Sequence, residues 1–512
     1  MRNFKTAIID IGSNTIRLVL YKYDLKRGMK EFENIKVVAR LRNYILPNGK
    51  LSEPGILKLQ NILATFQEML HDYGINDVLA TATAAIRQAT NGQEILEKMK
   101  KEIGIEIKLL SEEQEAFYGY FAVVHTIATP SAVTIDMGGG STEITYFNNK
   151  DLVESHSFPF GSVSLKQQFM KSDTLTIEER NKIYQFAKEQ FLTLSWLAGL
   201  TLPVIGIGGS ARNMAKMDQR KKNYPISGIH QYKMTKEDFD TIRLEIAELS
   251  FEELKQLDGL SSDRADIIAP VLEVFQALMD VVQSPIFQFS RKGLREGLVI
   301  EKILKENPTA FDKYHVLESN VDFLAQEFGK SKEHNEYFVR LCEGVYREFC
   351  KHGALQYTDA DLAMMLQAAK LFYLGEYIEA DAASQHTFYL LSNRSIDGLG
   401  HKERVRLALL ASYKNRDDFK RYIEPFGEWF TKEELKQIQG IGALLKFAYA
   451  LDASKRKIVE NIEIEQNGQG IMVHIYSSGN ALAEKYKVCR QKKHIDRLFP
   501  GDVTLRFIEK EG

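Results

Sequence analysis

Two stretches of this chain share one layout, and that duplication limits what it can fold into. Residues 132–147 read Ala-Val-Thr-Ile-Asp-Met-Gly-Gly-Gly-Ser-Thr-Glu-Ile-Thr-Tyr-Phe, and residues 7–23 read Ala-Ile-Ile-Asp-Ile-Gly-Ser-Asn-Thr-Ile-Arg-Leu-Val-Leu-Tyr-Lys-Tyr. Each is an apolar run that ends on an acid, Asp136 or Asp10, turns through small residues, and leaves in a second β-rich run. Gly12, Ser13, Asn14 and Thr15 match the Gly-Gly-Gly-Ser-Thr turn with one residue fewer. Glycine lets backbone N–H groups close on an anion, and hydroxyls add donors. An acid at the strand end is placed to hold a divalent cation that bridges phosphate oxygens. One copy is equally well a plain glycine hairpin with a capping Asp. Two copies predict two similar domains that face each other across a cleft, their acids and turns converging on one ligand.

Other segments add to that cleft. Pro203 to Met214 reads as strand, glycine turn and helix start, with Gly208, Gly209 and Ser210 at a helix N-terminus as a third anion turn. Ser111 with Gln114 forms a capping box, and Glu115 follows one turn into the helix, beside small Ala116 and Gly119. Such a carboxylate can face a cleft or water, and its spacing fits both. Arg87, after the strand from Asp77 to Ala82, could fork onto a phosphate or sit on a helix surface. The apolar spacing from Ser52 to Tyr73 is helical, with Ser52 as its cap. Residues 34–46 read as a continuing strand, and a long helical region runs to about Leu197. Near 285–304 a strand enters a helix. From about 305 helical periodicity dominates, and from about 440 alternating runs and one helix describe a small α+β end. Two basic clusters lie there, Lys455–Lys457 and Lys485–Lys493; each is a solvated face or a track for a long polyanion.

Composition sets bounds. With 512 residues the chain has room for three or four domains of roughly 100–200 residues each. A net charge of −2 gives no global reason to expect nucleic acid, so a polyanion site has to be local. The three cysteines, Cys342, Cys350 and Cys489, are too few for a disulfide framework and suit a reducing cytoplasm. No apolar run approaches the 18 or so residues of a membrane span.

The paired turns, Ser-Glu-Glu-Gln-Glu-Ala at 111–116, Gly-Ile-Gly-Gly-Ser at 206–210 and Gly-Leu-Arg-Glu-Gly at 293–297 together resemble the exopolyphosphatase / guanosine pentaphosphate phosphohydrolase (Ppx/GppA) family. The resemblance covers residues 5 to about 304 with specific motifs and continues more loosely to 512. It implies an α/β fold of two ribonuclease-H-like domains of the actin-like ATPase superfamily, at 1–125 and 126–304. A helical HD-like domain (305–435) and a small α+β domain (436–512) would follow, in a cytoplasmic homodimer. It implies Glu115 as general base, and Asp136, Glu143 and Asp10 as acids near Mg²⁺ or another divalent cation. Ser13, Asn14, Arg87, Gly139, Gly140, Ser141, Thr142, Gly208, Gly209 and Ser210 take phosphate-binding positions. HD domains carry a His-Asp metal dyad, and this chain has Phe372-Tyr373 in its place. His386 alone cannot hold a metal, and His71-Asp72 lies in a first-domain helix. The third domain is therefore expected to act as a scaffold or dimer element, without a metal centre of its own.

The reading is an exopolyphosphatase that releases terminal orthophosphate from linear polyphosphate with water activated by Glu115. Hydrolysis of the 5′ phosphate of guanosine pentaphosphate (pppGpp) needs the same turns and stays open beside it. A kinase or ATPase of the same superfold would need an adenosine pocket that the sequence does not signal. A non-catalytic guanosine tetraphosphate-binding regulator would have no use for the intact acids.

Overall fold

In the computed structural model, which describes residues 4–26, 28–467 and 470–510, Ala7, Ile8 and Ile9 form the middle of strand β1 (Phe4–Ile11). All three are fully buried, as an uninterrupted apolar run requires of a strand covered on both faces. β1 pairs antiparallel with β2 (Thr15–Asp24), and β2 with β3 (Gly28–Val38). β4 (Val78–Ala82) and β5 (Ile107–Leu109) extend the other side in parallel, giving the order β3-β2-β1-β4-β5.

The second stretch builds this sheet again. β6 (Ala132–Met137), β7 (Thr142–Asn148) and β8 (Asp151–Phe158) form an antiparallel meander. β9 (Val204–Ile207) and β11 (Ile286–Phe289) join in parallel, and β10 (Lys233–Thr235) adds an antiparallel edge. The order β10-β11-β9-β6-β7-β8 is the first sheet with one strand added. Each sheet has its own core. Ile56, Leu59, Leu63, Phe66 and Leu70 of helix Glu53–Asp72 pack on the first, and the apolar helix Ile268–Val282 packs on the second. Ile8 of β1 and Ala132 of β6 belong to further buried clusters, so both acid-bearing strands are covered on both faces.

The chain divides into two compact units, 1–316 and 317–512, and both of these sheets lie in the first. The second unit is helical from Leu317 to Leu451 and ends in β12 (Val459–Asn467), β13 (Gly470–Ser477), helix Leu482–Ile495 and β14 (Val503–Glu509). Phe372, where the dyad was sought, packs on Phe338, Tyr373 and Tyr449. The cluster Lys455–Lys457 is largely paired locally: Lys455 to Asp452, Lys457 to Glu333, and Arg456 to the Asn480 carbonyl. Among the described residues no helix is long and apolar enough to cross a membrane.

Several expected boundaries move. The strand placed at 34–46 is β3, which starts at Gly28 and ends at Val38. Arg40 then turns left-handed at φ 50° and opens a 3₁₀ turn over Leu41–Tyr44. The helical region before Leu197 is two helices, Ser162–Phe169 and Ile177–Leu192, because Thr176 and Glu179 form a fresh capping box. Ser52 occupies the N-cap position of its helix but makes no side-chain cap bond. The divisions at 304/305 and 435/436 fall inside helices Leu294–Glu306 and Lys432–Leu451.

Candidate active site

The two acid-plus-glycine turns meet. A Cβ placed on Gly139 would stand 3.1 Å from Ser13 Cβ and 3.8 Å from the Asn14 nitrogen. The turns are also of equal length, contrary to the one-residue difference read from the sequence. Strand register pairs Asp10 with Arg17 and Ile11 with Ile16, and pairs Asp136 with Glu143 and Met137 with Thr142. Each turn closes with the same bond, from Gly12 N–H to the Thr15 carbonyl and from Gly138 N–H to the Ser141 carbonyl, both 3.0 Å. Gly12 therefore matches Gly138, Ser13 matches Gly139, and Arg17 matches Glu143.

Each turn is held from outside by its carbonyls. Ala39 and Arg40 N–H donate to the Asn14 carbonyl and Arg42 N–H to that of Ser13. Ser162 N–H donates to the Gly138 carbonyl, and Val163 and Ser164 to that of Gly139. No backbone acceptor among the described residues takes the N–H groups of Ser13, Asn14, Gly139 or Gly140. A buried N–H needs an acceptor, so these groups are available to an anion.

One cavity of about 170 Å³ gathers the parts: Asp10, Ser13, Asn14, Glu115, Asp136, Gly139, Ser141, Glu143, Gly208 and Gly209 all line it. Gly208 must be glycine twice over. Its φ is +86°, and a Cβ there would lie 2.8 Å from Asp136 Oδ1. Four expected phosphate-binding residues do not line the cavity. The Thr142 hydroxyl donates to the Phe160 carbonyl, and the Ser210 hydroxyl accepts from Arg264. Gly140 backs onto the Arg42 guanidinium. Arg87 does not line it either; its Nη1 donates to Glu115 Oε2 at 2.9 Å and to the Leu110 carbonyl at 3.0 Å.

The acids perturb one another. Glu115 sits in the first turn of helix Glu112–Val124, whose capping box Ser111/Gln114 forms as read. Burial pushes its carboxyl up to about 7; Arg87 opposes that, and the charges of Asp136 and Asp10 add to it. Asp136 is pushed up to about 6, first by burial and then by Asp10. Burial, then Glu115 and Asp136, hold Glu143 well above the carboxylate range, although Ser157 Oγ donates to it at 3.2 Å. Burial raises Asp10, with Arg295 and Arg17 opposing.

Among the described residues no group of three or more Asp, Glu, His or Cys side chains forms a metal cage. The expected trio of Asp10, Asp136 and Glu143 is therefore not a closed ligand set: Asp10 leans to Arg295, 3.8 Å away, from the opposing turn. Mg²⁺ does not require a closed set. It commonly takes one or two carboxylates and completes its shell with substrate phosphate and water. Buried acids that raise one another beside donor-rich turns fit that kind of binding.

The sequence reading missed five arginines that line the same cavity: Arg17, Arg212, Arg264, Arg291 and Arg295. Arg212 is held down to about 10, first by burial and then by the charges of Arg17, Arg295, Arg291 and Arg264. Guanidinium groups that repel one another this way are favoured by a bound polyanion. They come from β2, helix Gly208–Lys221, the 3₁₀ turn Ser262–Arg264 and the segment after β11. Arg295 lies inside the Gly-Leu-Arg-Glu-Gly motif, which was the available signal. At the rim, Lys36 pairs with Asp263 at 2.5 Å, and Arg291 lies 3.6 Å from Glu31.

Comparison with known proteins agrees with this architecture. Residues 19–306 match the profile of the Ppx/GppA phosphatase family, and residues 318–489 match Ppx/GppA phosphatase, domain III. A guanosine-5′-triphosphate,3′-diphosphate pyrophosphatase of Aliivibrio fischeri is 22% identical over 88% of this chain and 87% of its own length. A bifunctional 3-dehydroquinate synthase/phosphatase of Fusobacterium nucleatum is 25% identical over 59% of this chain, which spans only 47% of that protein. The crystal structure of the Aquifex aeolicus Ppx/GppA family member is 26% identical, with a TM-score of 0.54, over 60% of this chain and 99% of that one. An exopolyphosphatase from Cytophaga hutchinsonii shares the fold with a TM-score of 0.55 at 22% identity, over 59% of this chain and 98% of that one.

Proposed function

The chain belongs to the Ppx/GppA phosphatase family, and on that premise we propose that it hydrolyses the terminal phosphoanhydride of linear polyphosphate, releasing orthophosphate. The observation that carries this reading is Glu115, a base poised near 7, in the same cavity as two donor-rich turns and five arginines.

Glu115 accepts a proton from a water molecule as the water oxygen bonds to the terminal phosphorus. The bond from that phosphorus to the bridging oxygen breaks, and the electron pair leaves on the shortened chain. Arg87 fixes the Glu115 carboxylate in place. The N–H groups of Ser13, Asn14 and Gly139 donate to phosphoryl oxygens, and the arginines hold the charge that accumulates on the leaving chain. Asp136, Glu143 and Asp10 would hold Mg²⁺, which supplies charge neutralisation of the phosphate oxygens.

A second reading is removal of the 5′ phosphate from pppGpp, favoured by relatives named guanosine-5′-triphosphate,3′-diphosphate pyrophosphatase. No Phe, Tyr or Trp among the described residues lines the cavity for a purine to stack on, which supports the inorganic chain. The test is phosphate release from polyphosphates of several lengths, pppGpp and ATP, with and without Mg²⁺. A higher kcat/KM for pppGpp would exchange the two readings, and no release from any of them would overturn both.

A further inference from the structure

A second and larger cavity, about 410 Å³, adjoins the first and shares Ser13 and Asn14 with it. The mechanism above leaves it without a role. Its lining carries four cations, Arg40, Arg42, Lys166 and Lys171, against three carboxylates, and no aromatic ring. The carboxylates are already engaged: Asp173 and Asp266 both take Lys166, and Asp263 takes Lys36. Arg40 and Arg42 therefore pair with no carboxylate among the described residues.

Arg42 is the most built of these groups. It is half-buried, and among the described residues its guanidinium donates to the neutral amide oxygen of Gln88 alone, at 2.6 Å. Its backbone N–H bonds the Ser13 carbonyl, so the phosphate-type turn itself sets its position. The same guanidinium abuts Gly140, where a Cβ would meet Nη1 at 2.5 Å. A cation fixed to the back of an anion-binding turn, in a cavity that continues from the cleft, is placed for an anion longer than the cleft can hold.

We infer that this cavity receives the trailing phosphates of a linear polyphosphate whose terminal phosphate sits in the cleft, the chain crossing from one cavity to the other over the Ser13–Asn14 turn. This rests on the polyphosphate reading and extends it: the cleft sets the chemistry, and the second cavity sets the preference for length. A nucleotide with one short phosphate arm gains nothing from it.

The experiment compares tripolyphosphate with long-chain polyphosphate in three proteins: the natural chain, Arg42→Gln, and Arg40→Ala combined with Lys171→Ala. Arg40 and Lys171 are exposed, so the double variant leaves packing intact. A hydrogen bond to a charged group contributes enough that losing one weakens binding by roughly tenfold to a hundredfold. The expected result is a KM for the long chain raised by about that factor, with kcat unchanged and tripolyphosphate unaffected. Equal KM changes for both lengths, or none, would overturn the inference. Binding of long-chain polyphosphate to Glu115→Gln is measured with and without the Arg40/Lys171 changes. Weaker binding in the combined variant supports the cavity even if no phosphate is ever released, and unchanged binding removes it. The proposed hydrolysis fails separately, by absence of phosphate release from every substrate.

Discussion

The turn after β1 and the turn after β6 have the same length, the same closing hydrogen bond and an aspartate in the same place. They differ at the residue opposite the aspartate, which is Arg17 in the first and Glu143 in the second. Both side chains reach the cavity, and burial is the largest influence on each: it lowers the guanidinium and raises the carboxyl. The duplicated backbone supplies two similar sets of N–H donors. In the proposed hydrolysis one side chain then decides what each copy would add, a cation for phosphate in the first and an acid for a metal ion in the second.

This division can be broken from several directions. Glu115 serves both halves, so Glu115→Gln has the largest effect: turnover should fall by roughly 10²–10⁴-fold with KM little changed, as single-turnover phosphate release would record. The next two variants separate the halves. Glu143→Gln should weaken apparent Mg²⁺ affinity by roughly 10–100-fold, with rate recovered at high Mg²⁺. Arg17→Ala should raise substrate KM by about the same factor and leave the Mg²⁺ titration where it was. If both variants moved both constants alike, the halves would not be specialised.

Smaller effects sharpen the account of Glu115. The proposed base would work ionised, so kcat/KM should climb with pH through about 7 and decline below it. Arg87 lowers the Glu115 carboxyl; without it that carboxyl rises further, and the acid limb of Arg87→Ala should move to higher pH. Mg²⁺ held at the proposed site would act in the opposite sense and move the limb down. Least of all, Ser111→Ala removes the cap on the Glu115 helix and should cost about 1 kcal/mol in chemical denaturation, with the pH profile unmoved.

Much of this was legible because it is local. Apolar runs that end on an acid and a glycine turn declare a strand and its exit, and Ser111 with Gln114 declares the helix that presents Glu115. The arginine wall was not legible, since Arg17, Arg212, Arg264 and Arg291 come from four separate segments and share no spacing. Competition for side chains was hidden too. Thr142 and Ser210 look like phosphate donors in sequence, but the Phe160 carbonyl takes the Thr142 proton, and Ser210, accepting from Arg264, stands outside the cavity lining. Arg87 looks like a phosphate fork, and its reach ends at Glu115. The mistaken count of turn residues came from aligning glycines; the strand pairs show that Ser13 and Asn14 stand where the second copy has glycine.

That equality of turn length carries a genetic consequence. Side chains along a strand alternate between faces, so inserting or deleting a single residue between Gly12 and Thr15, or between Gly138 and Ser141, would rotate the outgoing strand by half a period. Arg17 or Glu143 would then point away from the cavity, and a core side chain would take its place. A replacement at fixed loop size leaves the strand register standing, whereas a frame-preserving codon gain or loss does not. Libraries that vary composition at fixed loop size should therefore return far more folded proteins than libraries that vary loop size.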